Sequence, residues 1–232
     1  MKTKEYNLSG FSRVSARFAM DIEIARADNF SVSITGGDAV VDHMEVSLQG
    51  DKLVLAYKLD LVSFFAIPFT RTVAKITLPD LSELDIVGAA HATVKGFNSG
   101  NDFSIVLSGA SRIEFYDMAV GNVKWDLSGA SRINGDFKAT GNVDMRISGA
   151  SRIDLKGSAN DLEIDASGAS RLELDDFQVH NAKVKLSGAT NSAINVSGRL
   201  DVSLEGASKL EYGGQPTLGD VRVIGASSLR KK

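Results

Sequence analysis

The chain has no cysteine and, among 232 residues, only three prolines, three histidines and one tryptophan. Without thiols there is no disulfide framework, no thiolate nucleophile and no cysteine zinc site. His43, His91 and His180 fall in separate stretches, so a three-histidine metal centre is not indicated, and no cofactor is called for. No apolar run approaches the roughly 18 residues of a spanning helix. The opening Met1-Lys2-Thr3-Lys4-Glu5-Tyr6-Asn7 has two lysines but no apolar stretch behind them. A cytoplasmic protein, or an exported one whose signal has been removed, fits that start. Charge of neither sign dominates: 26 Lys and Arg against 29 Asp and Glu leave a formal charge of -3. That balance argues against a general binder of nucleic acid or anionic membrane.

Glycine, by contrast, is plentiful and evenly spaced. A Gly-Ala-small motif begins at Gly88, Gly109, Gly129, Gly149, Gly168, Gly188, Gly206 and Gly225, at intervals of 18 to 21 residues. So short a period, sustained over so much chain, marks a solenoid. Within a unit the apolar residues alternate, as in Val123, Trp125, Leu127 and again in Val143, Met145, Ile147, Ile153 and Leu155. Period-two alternation means extended chain with one buried face. Each unit then holds two or three short strands, with bends around Ser128-Gly129-Ala130 and Thr140-Gly141-Asn142. A hairpin-based sheet would satisfy the alternation equally well. The return of one residue type at one station favours coils stacked in parallel, about 4.8 Å apart. A propeller blade needs about twice this period.

Stacking predicts three columns. Gly109, Gly129, Gly149, Gly168, Gly188 and Gly206 line the bends, where a side chain would crowd the next coil. Ser111, Ser131, Ser151, Ser170, Thr190 and Ser208 point inward and hydrogen-bond along the stack or to the bend backbone. Arg112, Arg132, Arg152, Arg171 and Lys209, with His91 and Asn191 at the same station, face solvent as a ladder. Two residues on, Glu114, Asn134, Asp154, Glu173 and Glu211 share that face. The row reads either as a self-neutralising surface or as a grip for an anionic polymer such as an acidic glycan.

The first 80 residues lack the motif. Phe18 to Ile24, Phe30 to Ile34, Met44 to Leu48 and Leu53 to Tyr57 read as strands, with turns at Thr35-Gly36-Gly37-Asp38 and Gln49-Gly50-Asp51. Asn7 to Val14 echoes the motif and suggests a degenerate first coil. Residues 1–80 are thus expected to be a β-rich cap with the first coils, and residues 81–232 the repeats, in one continuous unit. Leu59 to Phe69 is the most apolar local stretch. It suits core or cap packing, or else a subunit contact, and membrane adherence fits it less well. Ser227 to Lys232 closes the last motif with charge.

The recurring Leu-Ser-Gly-Ala-Ser-Arg-Ile at Leu107 to Ile113 and Leu127 to Ile133 resembles the putative auto-transporter adhesin, head GIN domain family. Phe11 to Ile34, with Asp21-Ile22-Glu23-Ile24 and Phe30-Ser31-Val32, resembles the N-terminal stretch of its members. The resemblance implies an all-β fold, a right-handed parallel β-helix with an N-terminal β cap, in exported or surface-anchored bacterial proteins. It brings no catalytic or binding residue with it. The arginine row and the lack of an apolar leader set this sequence apart.

Three functions follow from these features. The first is a non-enzymatic binding or adhesion module for a glycan or a cell-surface protein. The second is a homo-oligomeric scaffold whose rods join end to end. The third is a polysaccharide-active enzyme, for which Asp154 and Glu173 supply adjacent carboxylates.

Overall fold

The computed structural model describes residues 1–58 and 71–232; the apolar stretch Leu59 to Phe69 lies outside the described residues. The chain forms a right-handed parallel β-solenoid with about 20 residues per coil and an N-terminal β cap. Right-handed crossovers are the rule where a twisted strand feeds the next parallel strand.

Each coil contributes one strand to a first face and one to a second. On the first face Phe103–Gly109, Val123–Gly129 and Val143–Gly149 lie side by side, Leu107 beside Leu127 and Leu127 beside Ile147. On the second face Arg112–Val120 lies beside Arg132–Ala139, which lies beside the start of Arg152–Gly168. A register shift between Phe115 and Met118 bends the second strand, where Asp117 has φ 53°. That bend and the Gly121-Asn122 and Gly141-Asn142 corners close each coil. Inward columns such as Ile113, Ile133, Ile153 and Leu172 are fully buried. Apolar residues thus stack on their own kind along the rod, which is why the period-two pattern recurs at the repeat interval.

The N-terminal region is wound out of order. Arg13–Ala16 and Asp21–Arg26 form a coil that lies directly against Glu83–Gly88 and His91–Lys95. On its other side lie Lys52–Tyr57 and Val73–Leu78, a later stretch of chain. That outer coil is covered in turn by antiparallel strands: Met44–Gln49 on the first face, and Ser31–Gly36 then Lys2–Tyr6 on the second. Two expectations change here. The motif echo at Asn7 to Val14 does not occupy the repeat's station, because Arg13 sits on the first face beside Glu83, and Asp21 takes the ladder place beside His91. Thr35 to Asp38 is not a hairpin turn either. Ser31–Gly36 pairs with Val73–Leu78 and Lys2–Tyr6, so the chain must cross between faces, and it does so through the helix Asp38–His43. Val40 and Val41 bury that helix against the cap.

The out-of-order coil is locked by charge. Lys52, Arg13 and Glu83 stand in register on three adjacent strands. The Glu83 carboxylate accepts from Arg13 at 2.7 Å and meets Lys52 at 2.5 Å. Burial alone would raise its pKa, but the two cations outweigh that and hold it below the ordinary carboxylate value. A depressed folded-state pKa gives stability that is present above the unfolded value, about 4.3, and lost as pH falls through the folded one. Glu83→Gln should therefore cost about 1–3 kcal/mol at pH 7 and progressively less below pH 4. Urea denaturation at the two pH values checks both the size and the trend.

Candidate functional site

The ladder predicted from the motif is built as a single row. Register places Asp21, His91, Arg112, Arg132, Arg152, Arg171, Asn191, Lys209 and Ser228 on successive second-face strands. The adjoining outward row runs Glu114, Asn134, Asp154, Glu173, Ala193 and Glu211. All five basic positions are exposed.

Neutralisation along the row is uneven. Glu173 takes both Arg152, at 2.5 Å, and Arg171, at 2.8 Å. Partial burial would push this carboxyl up, yet the two guanidiniums bring it below its ordinary value. Among the described residues no carboxylate lies within ion-pair distance of Arg112, Arg132 or Lys209. Glu114 turns instead to His91, at 3.6 Å, and accepts from the Tyr116 hydroxyl at 3.0 Å. Asn134, beside Arg132, brings no charge. Two adjacent guanidiniums are thereby left free, and Tyr116, 49% exposed, stands on the strand of the first. Sequence reading passed over Tyr116, although it occupies an outward station of the alternation.

The bend columns have two roles in the backbone. The six glycines from Gly109 to Gly206 have φ between 78° and 120°. Of the buried hydroxyls beside them, Ser111 Oγ bonds along the stack to the Gly88 carbonyl at 3.2 Å and Ser170 Oγ to that of Gly149 at 3.3 Å, whereas Thr190 Oγ1 bonds to the Ser187 carbonyl of its own coil at 3.2 Å and Ser131 Oγ has no hydrogen-bond partner. In three places the bond runs the other way, the Ser131 N–H donating to Ser151 Oγ at 3.4 Å, the Ser151 N–H to Ser170 Oγ at 3.1 Å and the Ser208 N–H to Ser227 Oγ at 3.2 Å.

A further column was missed. Asn122, Asn142, Asp161 and Asn181 turn the corner before each first-face strand. Asn122 Oδ1 accepts from the Asn142 N–H at 3.0 Å, and Asn181 Nδ2 donates to Asp161 at 2.9 Å. The signal was present in the repeated Gly-Asn-Val of residues 121–123 and 141–143. Beside this corner runs an open groove of about 390 Å³, between Asp144, Glu163, Lys183 and Asp201. Its charges alternate, and Lys183 is already bonded to Glu163 at 2.7 Å. Asp126 and Arg146 are neighbours in register, but each pairs within its own strand, with Lys124 at 3.8 Å and Asp144 at 3.7 Å.

His43, His91 and His180 lie apart, and among the described residues no cluster of His, Asp and Glu could hold a metal ion. No described helix is long and apolar enough to cross a membrane.

A family model, "Putative auto-transporter adhesin, head GIN domain", matches residues 10–216. The chain belongs to this family. Solved structures share the fold of this GIN domain at low identity. A putative adhesin from Parabacteroides merdae superposes with a TM-score of 0.83 at 17% identity, over 100% of this chain and 95% of that one. A putative lipid binding protein from Parabacteroides distasonis gives 0.81 at 18%, over 100% and 96%. A putative adhesin from Bacteroides fragilis gives 0.74 at 14%, over 100% and 96%. No curated protein matches the sequence.

Proposed function

We propose that this GIN domain is a non-enzymatic adhesion module at the bacterial surface, taking an anionic ligand, a carboxylated or sulfated glycan, on its second face. The observation that carries the reading is the pair Arg112 and Arg132: adjacent in register, exposed and without a carboxylate partner, with an exposed Tyr116 further along the same outward face beyond Glu114. Guanidiniums on neighbouring strands, about 4.8 Å apart, suit the repeated acid groups of a polymer, and the tyrosine ring offers a face to a sugar. The family's description as an adhesin head agrees with a presenting surface.

Catalysis fits the geometry poorly. Asp154 and Glu173 are neighbours in register, but a glycosidase acid must keep its proton near neutrality, through a raised pKa. Glu173 is shifted the opposite way by Arg152 and Arg171.

A glycan array with matched neutral, carboxylated and sulfated ligands tests the proposal. Retention of acidic members that weakens with salt is expected. The double variant Arg112→Ala/Arg132→Ala should weaken it about tenfold or more, while Lys185→Ala on the first face should not. Binding confined to neutral glycans, or unchanged in the double variant, would overturn it.

A further inference from the structure

The two ends of the rod are unlike. At the N-terminal end every parallel edge is covered by an antiparallel strand, and the outermost of these, Lys2–Tyr6, carries Lys2 and Lys4. Lysines on an edge strand discourage further pairing. At the other end Thr217–Val223 on the first face and Ser228–Lys231 on the second pair on one side only. The inward columns finish there uncovered. Val202 and Leu204 are 4% and 0% exposed, whereas Val221 and Val223, next in the same columns, are 45% and 42% exposed. Leu218 and Ile224 are 44% and 43% exposed. Val221, Val223 and Leu218 are core residues lacking a neighbouring coil, whereas Ile224 stands at the outward station of Glu205.

We infer that the first-face edge Thr217–Val223 is a docking surface for the same edge of a second copy, joined antiparallel about Val221. Hydrogen-bonding direction and charge both select this register. The Ile224 N–H points back to the Leu204 carbonyl at 2.9 Å. Successive residues of a strand address opposite edges, so Val223 and Val221 present their N–H and C=O to the open side. An antiparallel partner centred on Val221 sets the two Val221 residues as a mutually hydrogen-bonded pair. The same register places Asp220 of each copy opposite Arg222 of the other, twice over. Beyond Asp220, which also has Arg199 of its own chain at 3.8 Å, the strand bulges between Leu218 and Val221, so the pairing runs from Asp220 to Arg222.

The second-face edge does not compete, because Arg230 and Lys231 would set like charges together there. Joining like edges antiparallel makes the contact isologous, so it closes at two copies; among the described residues Met44–Gln49 at the other end also pairs on one side only, but this contact does not use it. It differs from the alternative of a scaffold whose rods join end to end into filaments, and it is independent of what the arginine row binds.

Sedimentation equilibrium over a concentration series tests it. The 24.7 kDa chain should approach twice that mass and go no further. Asp220→Arg should weaken the dimer about tenfold or more, since both cross-strand pairs become repulsive. Arg222→Asp should do the same, and combining the two should restore association. A single-copy mass throughout, continued growth beyond two copies, or a dimer indifferent to Asp220→Arg would each overturn the assignment. Circular dichroism on every variant shows whether it has kept its fold, and the charge-swapped double variant serves as its own folding control.

Discussion

Gly149→Ala is expected to destabilise the rod by about 4 kcal/mol or more, enough to unfold much of a marginally stable chain. Gly149 has φ 120°, a conformation that an L side chain rarely adopts. A methyl group there would lie 2.3 Å from the Gly129 carbonyl oxygen and 2.9 Å from its nitrogen. Neither neighbour is the yielding end of a flexible side chain. The same carbonyl accepts from the Ala150 N–H at 2.8 Å, and the Gly149 carbonyl holds the Ala169 N–H at 2.8 Å. Making room for the methyl would break the ladder between coils on both sides. Gly50 gives the contrast: φ is 65°, but a methyl group added there would meet nothing within 4 Å. Gly50→Ala should therefore cost only about 1 kcal/mol, the conformational penalty by itself. Guanidinium denaturation of the two variants separates crowding from conformation, and equal losses would show that the stack yields more readily than its geometry implies.

The repeat was legible because a stacked coil turns local pattern into long-range contact. Once Gly129 and Gly149 are equivalent, Leu127 must lie beside Ile147 and Arg132 beside Arg152, and so they do. The winding of the first 80 residues was not legible in this way. Lys52–Tyr57 and Val73–Leu78 carry no motif to mark them as a coil, and their place outside Arg13–Ala16 follows from sheet pairing between distant stretches. The helix Asp38–His43 was hidden for a related reason: six residues are too few to establish a helical period, and Gly36-Gly37-Asp38 has ordinary turn chemistry. At the candidate site, spacing located the arginines but not their partners. Whether Glu173 serves one guanidinium or two depends on side-chain reach, and that sharing distinguishes Arg152 and Arg171 from the unpaired Arg112 and Arg132. The open end was equally invisible, since Val221 and Val223 repeat the inward pattern of every earlier coil and only the missing neighbour makes them surface.

Trp125→Ala should cost about 3–5 kcal/mol, the usual range for truncating a large buried aromatic. The reason lies in how one coil shares out its volume. On the second face the inward column reads Val94, Phe115, Gly135, Leu155 and Leu174, so the coil containing Gly135 has no side chain where its neighbours have large ones. Facing it from the first face of that same coil is Trp125, in a column otherwise filled by Ile105, Met145 and Ile164. The largest residue lies across from the smallest. Its ring sits 6.1 Å from Phe115 and 5.6 Å from Phe137, and the indole is fully buried. Its N–H has no hydrogen-bond partner, so shape and not polarity secures it. Two consequences follow. Trp125→Phe should lose distinctly less than Trp125→Ala, because it keeps most of the ring contact and removes the unpaired N–H. Trp125→Ala should also leave a cavity that an apolar probe such as benzene can fill, raising the melting temperature of that variant and not of the parent. If alanine and phenylalanine prove equally tolerated, the Gly135 notch is being filled by movement of the coils themselves.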